Sequence, residues 1–275
     1  MFIVIVTISL VLPFLIVFYF FWQMERLPRN RLGKFQREGD KQVVVLMGDS
    51  ITHGQIGENY VSMLSEQLGA NYDLINAGVN SQLAWNLLER LDEIIECDPD
   101  IITILIGTND ANAAISESDA IYYKKRMNLP KLPDREWFRD TLNAIIERLL
   151  QETTAQIAIL SIPPIGEVPE DSAFRISKEY SDIIKETAMK TGATYLPLHE
   201  RMTEVLMKQP GRPSYPLKKF KIEMIKALFK RYFLRKTWND IGEAAGFYLH
   251  IDYLHLNTRG AQLVVDLIAS FMKGL

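Results

Sequence analysis

The sequence predicts an α/β fold of three layers, α/β/α and doubly wound around a parallel sheet, preceded by one transmembrane helix. Three observations carry that expectation. Five short strand-like runs recur, at 43–47, 72–76, 101–106, 156–161 and 194–198. Segments of helical periodicity fill the intervals, at about 58–69, 83–96, 134–152 and 173–191, and a last one covers about 258–273. The runs are largely continuous in apolar character rather than alternating, which marks strands covered by helices on both faces. In such sheets the ligand sits beyond the carboxyl ends of the strands.

The first element is the N-terminal one. Residues 2–22 carry no charge and are mostly Ile, Val, Leu and Phe, and about 20 such residues suffice to cross a bilayer core as a helix. Pro13 near the middle is tolerated in a membrane helix. Tyr19 and Trp22 stand where aromatic rings favour the headgroup region. A cleaved signal peptide would want a basic leader and small residues before the cut. Here only Met1 precedes the run, and Phe20-Phe21-Trp22-Gln23 ends it. Residues 1–22 are therefore expected to be a retained anchor. Arg26, Arg29, Arg31, Lys34 and Arg37 follow it and no basic residue precedes it, so the positive-inside rule puts the rest of the chain in the cytoplasm. Residues 23–41, broken by Pro28, Gly33 and Gly39, read as a juxtamembrane linker. Residues 42–275 read as one domain.

Composition sets few further limits. An apolar content of 48% and a charged content of 24% are ordinary for a packed protein. The single cysteine, Cys97, excludes an intramolecular disulfide and reads as a small hydrophobe on a helix. The net charge of −3 is unevenly spread. An insertion at about 208–247 holds Lys208, Arg212, Lys218, Lys219, Lys221, Lys226, Lys230, Arg231, Arg235 and Lys236, against Glu223 alone before Asp240. On a helical wheel Ile222, Ile225, Leu228, Phe229, Tyr232 and Phe233 share one face of this stretch. Such a helix either packs its apolar face on the domain or lies in an anionic membrane surface. Nucleic acid is a poor partner, because the rest of the chain is acidic.

The chemistry begins at Gly48-Asp49-Ser50, directly after the first strand. A serine hydroxyl needs a base within reach and a site for the oxyanion. Of His53, His199, His250 and His255, the last is favoured, because Asp252 precedes it by three residues and can hold its ring. His53 is too close to Ser50 in sequence to face it and is expected to pack or cap locally. His199 and His250 read as structural or exposed polar residues. Asn76-Ala77-Gly78-Val79-Asn80-Ser81 follows the second strand and Gly107-Thr108-Asn109-Asp110 the third. Their backbone amides and the Asn109 carboxamide are donors of the kind an oxyanion hole uses.

These four blocks, in this order, resemble the SGNH or GDSL-type esterases and lipases, and the resemblance spans residues 43–270. It implies a flavodoxin-like five-stranded parallel sheet, Ser50 as nucleophile, His255 as base and Asp252 as its orienting partner. It implies an oxyanion hole from the Ser50 N–H, a backbone N–H at Gly78 or Ser81, and the Asn109 side chain. The family often has glycine where this chain has Ser81. No Gly-x-Ser-x-Gly elbow, metal motif or nucleotide motif is present, so no cofactor or metal is expected. The expected activity is hydrolysis of a small-molecule or lipid ester by a membrane-anchored enzyme. An acyltransferase using the same acyl-enzyme, and a non-catalytic membrane binding module, are the alternatives.

Overall fold

The computed structural model describes residues 18, 19, 22–28, 30–35, 37 and 39–275. In chain order its elements are β1 (Gln42–Gly48), α1 (Ser50–His53), α2 (Tyr60–Leu68), β2 (Tyr72–Gly78), α3 (Ala84–Leu88), α4 (Leu91–Ile95) and β3 (Ile101–Leu105). There follow α5 (Thr108–Ala113), α6 (Glu117–Arg126), α7 (Arg135–Glu152), β4 (Gln156–Leu160), α8 (Ser172–Thr191), β5 (Thr194–Leu196) and α9 (Leu198–Lys208). The chain closes with α10 (Phe220–Tyr232), α11 (Trp238–Ala244) and α12 (Thr258–Lys273).

The five strands form one parallel sheet in the order β2-β1-β3-β4-β5. The Val43-Val44-Val45-Leu46-Met47 run explains why β1 lies near its centre. Successive side chains point to opposite faces, and both faces are covered. Val43, Val45 and Met47 join Leu142, Ile145 and Leu149 of α7 and Ile184 of α8 in one apolar layer. Val44 and Leu46 join Leu64 of α2 and Val264, Val265 and Ile268 of α12 in the other. The registry pairs Gly48 with Gly78 on one side and with Leu105 on the other. The carboxyl ends of β1, β2 and β3 are therefore level, which puts the turns after them side by side.

Helical periodicity at 83–96 resolves into two short helices with a reason for the break. Arg90 leaves helical geometry and turns its half-buried side chain inward, donating to Ala77 O at 2.6 Å and Gln82 Oε1 at 2.7 Å. Cys97 follows α4 as a half-buried residue rather than sitting within a helix. The expected membrane span at 1–22 lies outside the described residues, apart from Phe18, Tyr19 and Trp22. Among the described residues no helix is long and apolar enough to cross a membrane. Part of the stretch read as a linker lies against the domain. Asn30 caps the edge of β2, accepting from Asn76 N at 2.9 Å and donating to Leu74 O at 2.8 Å. Arg37 reaches Asp98 and Asp100, and Leu32 and Phe35 pack on the core.

The basic insertion forms α10 and α11. Ala227 and Leu228 of α10 are buried with Ile56, Trp238, Ile241 and Ile251, and Tyr232 OH donates to Gln55 O at 2.8 Å. Ile222, Ile225, Phe229, Phe233 and Leu234 remain exposed. The helix thus divides the apolar face expected from its wheel between a packed edge and an outward one.

Candidate active site

β1 delivers Ser50 to the level edge of the sheet. Asp49 caps α1 by accepting from Ile51 N at 2.9 Å, so Ser50 is the first residue of a four-residue helix whose N-terminus is held in place. Two glycines permit this tight seating. A Cβ on Gly48 would collide with Thr52, and one on Gly78 with the backbone of His53. Asn76 fastens the same turn from β2, donating to Thr52 O at 2.7 Å.

The partner loop arrives from 205 residues away. Ser50 Oγ lies 3.1 Å from His255 Nε2, and His255 Nδ1 lies 2.9 Å from Asp252 Oδ2. The other carboxylate oxygen of Asp252 accepts from the backbone N–H groups of Leu254 and His255 at 2.7 and 2.8 Å. All three side chains are buried. Burial pulls the His255 imidazole toward its neutral form, but the Asp252 carboxylate and then Asp49 outweigh it and hold its pKa above the ordinary 6.5. Burial likewise opposes ionisation of Asp252, yet His255 and the two N–H donors keep its pKa below the usual value. A hydroxyl bonded to an imidazole whose far nitrogen is fixed by a carboxylate can be activated for attack on a carbonyl.

The loop itself is held by a residue that the motifs did not reveal. Glu167, fully buried, accepts from the N–H groups of Tyr248, Leu249 and His250 at 2.6–2.9 Å and pairs with His250 Nδ1 at 2.8 Å. Burial works against its charge, but His250 and these N–H groups bring its pKa below the usual range. His250, read as structural or exposed, is wholly buried. Asn257 caps α12 and also donates to Tyr248 O at 2.8 Å, tying the loop to that helix. His53 and His199 are buried as well, and burial lowers the pKa of each.

The donor side of the site is equally specific. The Gly78 N–H is committed to Asn76 Oδ1 at 3.0 Å. Ser81 adopts φ +64, the left-handed region that favours glycine, and lies with Ser50, Asn109 and His255 in the wall of one cavity. Asn109 is oriented from three directions. Its Oδ1 accepts from Tyr123 OH at 2.8 Å, and its Nδ2 donates to Gln82 O at 2.9 Å and, at a longer 3.3 Å, to Asp49 Oδ2. Arg90 in turn fixes the Gln82 side chain. Beside them Asp49 and Asp110 are both buried, and burial pushes their pKa values up to about 6 and about 7.

The sequence model of the GDSL-like Lipase/Acylhydrolase family matches residues 46–263, which include all four blocks. The chain belongs to this family. It is accordingly a serine hydrolase of the SGNH type that acts on ester bonds. No curated protein sequence matches it. Among solved structures the acetyl xylan esterase AlAXEase is similar at 20% identity and a TM-score of 0.60, over 83% of this chain and 98% of that one. A catalytic mutant of Axe2, an acetylxylan esterase from Geobacillus stearothermophilus, is 15% identical at a TM-score of 0.57, covering 86% of this chain and 95% of that one. A lipase/acylhydrolase from Enterococcus faecalis is 21% identical at a TM-score of 0.55, covering 85% of this chain and 96% of that one. At these identities the likeness establishes the fold of the enzyme.

Proposed function

We propose that the enzyme cleaves a carboxylic ester through an acyl intermediate on Ser50, and that it does so tethered to a membrane. The Ser50–His255–Asp252 hydrogen-bond chain carries the first part. Ser50 Oγ attacks the ester carbonyl as its proton passes to His255 Nε2, and Asp252 steadies the imidazolium through Nδ1. The oxyanion is held by the Ser50 N–H at the start of α1, the Ser81 N–H and Asn109 Nδ2. Ser81 takes this role because the Gly78 amide is already used by Asn76. The long bond from Asn109 to Asp49 is the one that yields to the oxyanion. His255 then protonates the leaving alcohol, and a water that gives its proton to His255 releases the acid and restores Ser50.

The tether is supported by the uncharged run at 2–22, the basic residues after it, and the outward apolar residues of α10 among their lysines and arginines. It implies an anchor at 1–22 and a domain at 42–275 facing the cytoplasm. Ser50→Ala should abolish fluorophosphonate labelling and cut ester turnover by roughly 10⁴–10⁶-fold. Activity near that of the unaltered enzyme would refute the role of Ser50. The tether fails if the full chain stays in the aqueous layer when floated with anionic vesicles.

A further inference from the structure

The Ser50 cavity encloses about 470 Å³, within the range of small-molecule sites and far more than an acetyl group occupies. Several of its polar members have a part in the chemistry or are engaged with the protein, while Asn80 Oδ1 is buried without a hydrogen-bond partner among the described residues. Ser50, Ser81, Asn109 and His255 line one part of it. Arg126 donates to Ser81 Oγ at 3.1 Å, Asn80 donates to Met24 O at 2.8 Å, and the Lys221 ammonium sits 3.4 Å from the centroid of the Tyr122 ring. Beyond Glu25, Tyr122 and Tyr123 the lining is hydrocarbon: Ile56, Leu254, Met24, and Phe220, Met224, Ile225 and Leu228 of α10. The hydrocarbon part of this wall offers no nitrogen or oxygen to a sugar hydroxyl. It also joins the domain to the end of the expected anchor and the residues just after it, since Met24 lines it and Tyr19 packs on Phe233 just beyond α10, with ring centroids 5.6 Å apart.

We propose that α10 and the Met24 segment form an acyl-chain wall, so that the substrate is an ester of an unbranched chain several carbons long and Met224 and Ile225 set the length accepted. The inference rests on the Ser50 esterase reading. Met24 places one side of the wall on the segment that leads to the anchor, so the same residues that hold the domain near lipid shape the pocket. An extended acyl chain gains about fourfold in kcat/KM for each methylene it buries, until the cavity is full. Methionine suits such a wall, because its unbranched, polarisable side chain adapts to a flexible ligand.

The test uses the full chain in phosphatidylcholine nanodiscs and soluble p-nitrophenyl esters from acetate through butyrate and octanoate to laurate. The expected result is a kcat/KM for octanoate roughly 10²–10³-fold above that for acetate. Ile225→Trp, at a half-exposed position where the fold tolerates a larger ring, should lower the octanoate-to-acetate ratio by about tenfold or more. Met224→Trp should do the same from inside the cavity. A preference for acetate, or a ratio unmoved by both variants, overturns the acyl wall. If acetate is preferred while fluorophosphonate still labels Ser50, only this inference falls. If no ester is cleaved and Ser50 is not labelled, the esterase reading falls and takes the wall with it.

Discussion

Two carboxylate–imidazole pairs meet at the loop before α12, which holds both histidines, His250 and His255, and they do different work. In each, a buried carboxylate oxygen meets a histidine Nδ1, at 2.9 Å for Asp252 with His255 and at 2.8 Å for Glu167 with His250. They differ at the other ring nitrogen. His255 Nε2 faces Ser50 Oγ, whereas His250 Nε2 is buried with no hydrogen-bond partner among the described residues. They differ also in the carboxylate. Asp252 accepts from the N–H groups of Leu254 and His255, two and three residues on, while Glu167 reaches in from 81–83 residues away and gathers three successive N–H groups of the loop. An acid beside a histidine is therefore not in itself a catalytic signature. The first pair is aimed at a hydroxyl, and the second fixes the backbone that aims it.

Replacing one acid in each pair separates these roles. Asp252→Asn should show the largest effect, a loss of about 10⁴-fold in kcat, because the ring loses the partner that fixes its tautomer. The pH profile supplies a second signature. His255 must be neutral to accept the Ser50 proton, and its pKa is raised, so activity in the unaltered enzyme falls as pH drops through a value above 6.5. In Asp252→Asn burial remains and its principal counterweight is gone, so the limb moves to lower pH. A limb that stays in place would mean that Asp252 does not govern His255.

Glu167→Ala should act on stability first. It leaves three loop N–H groups and His250 without their acceptor in a fully buried place, and breaking such a pair costs about 3–5 kcal/mol. Chemical denaturation reads the loss directly. A change below about 1 kcal/mol would show that the loop is held by Asn257 and α12 alone. Whatever fraction folds should retain the acid limb of the unaltered enzyme, since His255 keeps Asp252. That outcome is the reverse of the one expected for Asp252→Asn.

The difference between the two pairs also marks what the sequence could disclose. Asp252 and His255 are three residues apart and belong to a recognisable block, so their pairing is local and readable. Glu167 follows Pro163-Pro164-Ile165-Gly166 in a loop after β4, and nothing near it indicates that it will enter a different loop. His250 looked like one more polar histidine for the same reason. The strands were readable because a strand buried on both faces must be apolar along its whole length, and all five appear within two residues of expectation at each end. The helices α5 and α6 were not. The first is buried on every side and so has no periodicity, and the second is dominated by charged residues although it contributes Tyr123, which orients Asn109. A signal for Tyr123 would have been a lone buried aromatic hydroxyl among charges, which is visible only once Asn109 lies 2.8 Å from it.

The smallest expected effect concerns Ser81, where this chain departs from the glycine common in its family. At φ +64 a serine bears about 1–2 kcal/mol of strain that glycine would not. Ser81→Gly relieves that strain, but it frees the unfolded chain, which works against the fold by about 0.4–1 kcal/mol, and it removes the bond from Arg126 to Ser81 Oγ. These terms oppose one another, so thermal unfolding should show a net change within about 1 kcal/mol. The backbone N–H stays where it is, and kcat should therefore remain within a few-fold. Ser81→Val provides the contrast, because a β-branched side chain resists the left-handed region and would turn the N–H away from the cavity. It should lose kcat toward the roughly 10²–10³-fold typical of a missing oxyanion donor. If Ser81→Gly fell as far as Ser81→Val, the hydroxyl rather than the amide would be the working group. Ser81 would then join the aimed residues of the site instead of those that only hold the backbone in place.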